Sequence, residues 1–208
     1  MHDTELAYYV KDVGRLRADL AAGAPWQAIG HVDWIVRDTL ARLGDDFRLH
    51  GPQIAVHRSA TVAETAALSG PVILGPGCRV GPGAVLRGGV WADRDVTIGS
   101  ASEIKASFIF AGSAAAHRNY VGDSIVGAGV NLEAGAVLAN YFNEREDKEI
   151  CVLIAGQVLA TGLVKFGAIL GDGCRIGANS VTSPGTLLPP GSVVPRLALI
   201  DQLGPVSG

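Results

Sequence analysis

The sequence predicts an all-β fold, a parallel β-helix of hexapeptide repeats preceded by a short α-helical segment. Stepping by six from Val56 meets an apolar residue at almost every step: Val56, Val62, Leu68, Leu74, Val80, Leu86, Ala92, Ile98, Ile104 and Phe110. The count slips and resumes as Val126, Leu132 and Leu138. It slips again and resumes as Val152, Val158, Val164, Leu170, Ile176, Thr182 and Leu188. Eighteen of these twenty positions are Val, Ile, Leu or Phe. A period of six belongs to neither a helix nor an isolated strand, but to a solenoid with one flat face per hexapeptide. Composition agrees: 28 glycines and only 6% aromatics suit many tight corners. The residue after the inward one is often glycine, as at Gly75, Gly81, Gly99, Gly127, Gly171 and Gly177, where the backbone must turn.

Residues 1–50 carry a different pattern. Leu6, Tyr9, Val13, Leu16 and Leu20 follow three-four spacing and line one face of a helix that Gly23 would end. Ala24-Pro25 opens a second helix, with Pro at a favourable first position. Trp26, Ile29, Ile35, Val36, Leu40 and Leu43 form its apolar side and Gly44 stops it. Such a pair cannot bury its face alone. It is expected to pack on the rod or a neighbouring subunit and to cap the first coil. The repeat runs over 54–196. Three hexapeptides make one eighteen-residue coil, coils stack about 4.8 Å apart, and the count gives about seven coils. Residues 197–208 form a C-terminal tail.

Mean hydropathy is +0.30, yet no stretch approaches the ~18 consecutive apolar residues of a spanning helix. The start, Met1-His2-Asp3-Thr4-Glu5, lacks the basic and apolar regions of a signal peptide. A net charge of −3 argues against general binding to nucleic acid or to an anionic membrane. Cys78 and Cys174 share a hexapeptide place with Ala60, Ala66, Ala84, Ala114, Ala136 and Ala168, which reads as a small core residue. With Cys151 the count is odd, and a cytoplasmic location is expected.

Arg87 and Lys105 lie eighteen residues apart, hence one coil apart, each directly after an inward residue. Like charges on neighbouring strands repel unless an anion bridges them, and phosphate suits Arg well. Two solvated cations fanning apart is the other reading of the same spacing. The two slips, near 116–125 and 140–151, are read as loops that interrupt the rod, the usual place for binding residues. The first holds His117 and Tyr120. A neutral imidazole there suits a general base, and a plain surface histidine is the alternative. The second begins at Asn140-Tyr141 and runs into a charged stretch, 144–149, that reads as a projecting loop.

These residues resemble the acetyltransferase domain of GlmU, the bifunctional enzyme that makes UDP-N-acetylglucosamine. The shared elements are Arg87, Glu103-Ile104-Lys105, His117-Arg-Asn-Tyr120-Val-Gly-Asp123, Asn131 and Asn140-Tyr141. The resemblance implies a left-handed coil, a homotrimer with ligands between rods, and a chain without the pyrophosphorylase domain. It makes His117 the catalytic base and gives the sugar phosphate to Arg87 and Lys105. Tyr120, Asn131 and Tyr141 would position the sugar, Asn140 the amine site, and Lys148 would be a further substrate contact. Ala134, Ala160 and Ala178 would line the path of acetyl-CoA, a co-substrate, and acyl transfer needs no metal. The chain departs from the family at Phe142-Asn143, where an Asp-Gly pair is usual. It also departs at Glu133 and Ala160, near the acetyl-CoA path, and in lacking a basic tail.

The expected function is acyl-CoA-dependent N-acylation of an amino-sugar phosphate, of the glucosamine 1-phosphate type, or of a nucleotide-linked amino sugar. The alternative is a non-catalytic module that binds a sugar phosphate or nucleotide sugar, or that trimerises a partner nucleotidyltransferase. A zinc β-helix would need several converging histidines, and only His57 and His117 lie in the repeat.

Overall fold

The computed structural model describes residues 4–21 and 23–204. It is a three-sided parallel β-helix. Among the described residues each side stacks seven strands, which fits the expected coil number. One side holds Ala67–Ser69, 85–87, 103–105, Tyr120–Gly122, Val137–Leu138, Val181–Thr182 and Leu199–Ile200. The second holds Ile54–His57, Val72–Leu74, 90–92, 107–109, Ile125–Val126, Ala168–Leu170 and Thr186–Leu188. The third runs from Thr61–Val62 to Val193–Val194 and includes Ala114–Ala115, Asn131–Leu132 and Arg175–Ile176. The inward column is the apolar one the repeat predicts, including Leu74, Leu86, Ile98, Ile104, Leu132 and Leu170, and Cys78 and Cys174 lie within it.

The two slips differ from each other, and both differ from the expectation. The first is a lost residue, not a loop. Gly88 and Gly89, at φ 70° and 99°, make one corner, whereas Ala106 alone, at φ 45°, makes the corner above it. Ile98 therefore pairs with Ala115 at a spacing of 17 instead of 18. Residues 116–125 stay within the coil, and Ile109 takes the interior place expected of Phe110. Phe110 is buried outside the rod, edge-on to Trp91. The second slip is a true excursion: 44 residues separate Leu138 from its register partner Thr182. It carries an antiparallel hairpin, Ile150–Ile154 with Gln157–Leu163. Val152, Val158 and Val164 are thus not rungs. Val152 is buried under the excursion, whereas Val158 and Val164 are exposed.

The second side carries a second core on its outer surface. Ile73, Trp91, Phe108, Ile125, Ile169 and Leu187 are successive register partners pointing away from the interior. The N-terminal segment and the excursion cover this ladder. The segment therefore lies along a flank, and what sits on the first coil is the strand Phe47–Leu49, antiparallel to Ile54–His57. The expected first helix is broken into Leu6–Tyr9 and two 3-10 turns, Val13–Arg15 and Ala18–Leu20. The rod draws off its backbone: Asp172 donates its N–H to the Tyr9 carbonyl and its carboxylate accepts from Lys11 N. Arg15 clamps the buried Asp93 with two bonds of 2.9 and 3.0 Å. The second helix is shorter than expected, Val32–Leu40, entered through a 3-10 turn. Its Val32 comes so close to Gly89 that a Cβ there would meet it at 2.9 Å. At the far end, the Gln202 amide accepts from Leu187 N and donates to Leu187 O, both at 2.8 Å, filling the place of a missing strand. The last residues of the expected tail, 205–208, lie outside the described residues, as do 1–3.

Candidate functional site

Arg87 and Lys105 are register partners on the first side of the rod, as their spacing predicts. Neither is a free cation. Arg87 pairs with Glu103 at 2.6 Å, and Lys105 pairs with Asp123 at 2.5 Å. The repulsion between them is already offset by carboxylates from the chain itself. Asp123, at φ 45° on a corner and 7% exposed, also accepts from the Asn140 amide. Asn140 in turn accepts from the Tyr120 hydroxyl at 3.3 Å. Gly122, the next rung above Lys105, permits this: a Cβ there would strike the Tyr120 hydroxyl at 2.7 Å and the Asn140 amide at 2.8 Å. Burial, then the nearby Asp123 and Glu103, push the Tyr120 phenol above its ordinary pKa, so it stays protonated as a donor.

The excursion is rooted at the same point. Phe166 N donates to the Asn140 carbonyl, and Gly167 N to the Asp123 carbonyl. Asp123 thereby joins Lys105, Tyr120 through Asn140, and both ends of the excursion.

His117 sits at the corner between Ala114–Ala115 and Tyr120–Gly122. It belongs to the rod itself, contrary to the expectation of a loop. Its backbone is fixed on both sides, with His117 N donating to Asn119 Oδ1 and its carbonyl accepting from Gly135 N. Asn119, 2% exposed, also donates its side-chain amide to the Glu133 carbonyl, and its backbone N–H donates to the Ser102 hydroxyl oxygen. The His117 ring itself is exposed and has no hydrogen-bond partner among the described residues.

The remaining expected residues fall in three places. Asn131 lies on the third side, between Ala114 and Arg175, and does not meet Tyr120 within one chain. Lys148 turns back into its own loop, donating to the carbonyls of Phe142, Asn143 and Arg145, with its ammonium 5.1 Å from the Tyr141 ring. Ala134 and Ala178 share one corner, where Asn179 N donates to the Ala134 carbonyl. Ala160 does not join them: it lies exposed on the excursion hairpin. Within one chain the three alanines expected along the acetyl-CoA path therefore do not adjoin, because 160 belongs to the hairpin and not to a coil.

Glu133 borders that corner. Its carboxylate takes Arg196 through two bonds, 2.8 and 3.0 Å, and the Ala178 N–H at 3.0 Å. The Glu133 charge, a departure from the family pattern, is thus matched by an arginine, which holds the carboxyl below its usual pKa. A hollow of about 460 Å³ opens here, lined by Asn131, Glu133, Arg175, Gly177, Val193 and Arg196 among others. Sequence reasoning missed Glu103, Asp123 and Asn119 as structural partners, although the first two stand beside the cations at fixed offsets.

The seven-rung parallel rod with this polar side defines a hexapeptide-repeat β-helix protein. Residues 68–197 match the GMPPB C-terminal domain family, and the chain belongs to it. The bifunctional sugar-1-phosphate nucleotidylyltransferase/acetyltransferase of Sulfurisphaera tokodaii is 31% identical over 185 residues, covering 84% of this chain and 45% of that protein. The bifunctional protein GlmU of Methanococcus vannielii is 26% identical over 97% of this chain and 47% of its own length. GlmU of Nitratidesulfovibrio vulgaris is 35% identical over 61% of this chain and 27% of its own length. The chain thus spans about half or less of these relatives.

Proposed function

We propose that the chain is an acyl-CoA-dependent N-acyltransferase acting on an amino-sugar phosphate or a nucleotide-linked amino sugar. The observation that carries this is the polar cluster on one side of the rod, where Arg87 and Lys105 stand in register beneath Tyr120 and Asn140. His117, on the same coil as Tyr120, takes a proton from the sugar amine as nitrogen attacks the thioester carbonyl. The thiolate of CoA leaves, and a backbone N–H stabilises the oxyanion. Asn131 lies on a different side, so a site that uses it with Tyr120 needs two rods, which favours a homotrimer with the site between subunits. Acetyl-CoA would pass the Ala134–Ala178 corner. The test is release of free CoA from acetyl-CoA and glucosamine 1-phosphate. The wild type should release it and His117→Ala should not; no release with any amino-sugar phosphate refutes the proposal.

A second reading is favoured by the ion pairs themselves. With Arg87 on Glu103, Lys105 on Asp123 and Arg196 on Glu133, each of these cations already has a carboxylate partner without a ligand. A non-catalytic module that binds sugar phosphate or trimerises a nucleotidyltransferase would look the same. Binding of a sugar phosphate without binding of CoA, measured by calorimetry, would select it.

A further inference from the structure

The third side of the rod has a column of residues that directly follow its inward side chains: Ala63, Gly81, Gly99, Ala116, Glu133, Gly177 and Pro195. The corner is tight. A Cβ on Gly177 would lie 2.5 Å from Arg196 N, and one on Gly81 2.9 Å from Ser100 N. In this column of Gly, Ala and Pro, position 133 alone carries a charge. Its carboxylate leaves the crowded backbone and leans along the rod axis across the next two coils. There it takes a backbone N–H of the first, Ala178, and the guanidinium of the second, Arg196. Arg175, which makes no ion pair among the described residues, lines the same hollow. An anion with two acceptor oxygens is therefore already seated where a guanidinium and a backbone N–H converge, in a hollow that a second arginine also lines.

Exposure decides how firmly it is seated. The Arg196 side chain is 73% exposed and that of Glu133 37%. Ion pairs this wet are weak and readily exchanged. A pyrophosphate carries more charge than a carboxylate and binds guanidinium in the same forked geometry.

We propose that Glu133 is a built-in competitor that occupies the Arg196 and Ala178 donors and must swing out when a phosphate-bearing acyl carrier enters the Ala134–Ala178 corner. The proposal rests on the acyl-CoA reading above and adds to it a residue that sets the carrier concentration the protein needs. Glu133 thereby lowers affinity for CoA while stapling three coils together in its absence.

The experiment is calorimetric titration of the whole chain with CoA at fixed ionic strength. The wild type would be compared with Glu133→Ala, Glu133→Gln and Arg196→Ala. Glu133→Ala should bind CoA about tenfold more tightly, since it frees one exposed pair and one charge-assisted bond. Glu133→Gln, of the same size, should show a smaller gain in the same direction, and it carries the test if Glu133→Ala no longer unfolds cooperatively. Arg196→Ala should bind more weakly than wild type. CoA affinity equal to or below wild type in both Glu133 variants overturns the competitor and leaves Glu133 a coil staple. Failure of wild type and both variants to bind CoA overturns the acyl-CoA reading and the competitor with it.

Discussion

Arg87 and Lys105 stand in register on adjacent coils, and the chain neutralises each with a carboxylate one rung on, Glu103 and Asp123. A ligand phosphate at this pair must therefore share the cations with carboxylates that also orient them. A hydrogen bond to a charged group is worth about 1.5–3 kcal/mol, roughly ten- to hundredfold. Arg87→Ala and Lys105→Ala should each raise KM for the sugar phosphate by that order, with a smaller change in kcat. Steady-state kinetics checks the split.

Thr182 points into the rod between Leu138 and Ile200, and its hydroxyl is the one buried side-chain polar atom without a partner among the described residues. Removing an unsatisfied hydroxyl from an apolar site is favourable. Thr182→Val should stabilise the fold by about 1 kcal/mol, a rise of roughly 2–4 °C in Tm for a chain of this size. A scanning calorimetry trace at or below the wild-type Tm contradicts this.

The outer ladder makes the N-terminal segment part of the fold. Phe108 is fully buried beneath it, whereas Val158 on the excursion is 61% exposed. Phe108→Ala should cost about 3–5 kcal/mol, and Val158→Ala within about 0.5 kcal/mol. Denaturant unfolding of the two variants compares them directly.

Cys78 lies in the inner core, and burial pushes its thiol up to about 11. Burial also raises Cys174. The thiolate is the reactive form, so both should resist alkylation at neutral pH while the chain is folded. Cys151, part-exposed on the hairpin, should react first. A thiol count with a chromogenic disulfide should give one fast group folded and three in denaturant.

The Glu133 carboxyl is held below the usual glutamate range first by the Arg196 hydrogen bonds and then by the Ala178 N–H. A depressed folded pKa contributes stability above the unfolded carboxylate value, and that contribution is lost as pH falls through the folded value. Carboxyl NMR titration should therefore place Glu133 below an ordinary glutamate, and Arg196→Ala should move it back up.

What the sequence made legible is what the repeat enforces. Period six identified the interior of the rod because nearly every inward place holds an apolar side chain, and eighteen-residue spacing brought Arg87 over Lys105. The repeat could not reveal that Ala106 turns a corner that Gly88 and Gly89 share elsewhere. That one-residue economy moved Phe110 outside and kept His117 within a coil. Val152 and Val158 matched the period because a hairpin strand favours the same β-branched residues as a rung, and Val164 follows just beyond that hairpin. The partners of the cations were hidden for another reason. Glu103 and Asp123 lie at offsets that count as contacts only once coil length and corner conformation are known.

The second side of the rod is altered at both ends of its stack of strands. At one rim Phe47–Leu49 runs opposite to every rung beneath it, and at the other the Gln202 amide already occupies the hydrogen-bonding groups of Leu187. A copy arriving end-on meets a strand of the wrong polarity or a site already filled. End-on growth of a cross-coil stack is thus obstructed along that one side, whereas Thr61–Val62, Ala67–Ser69, Val193–Val194 and Leu199–Ile200 are each paired on one edge only among the described residues.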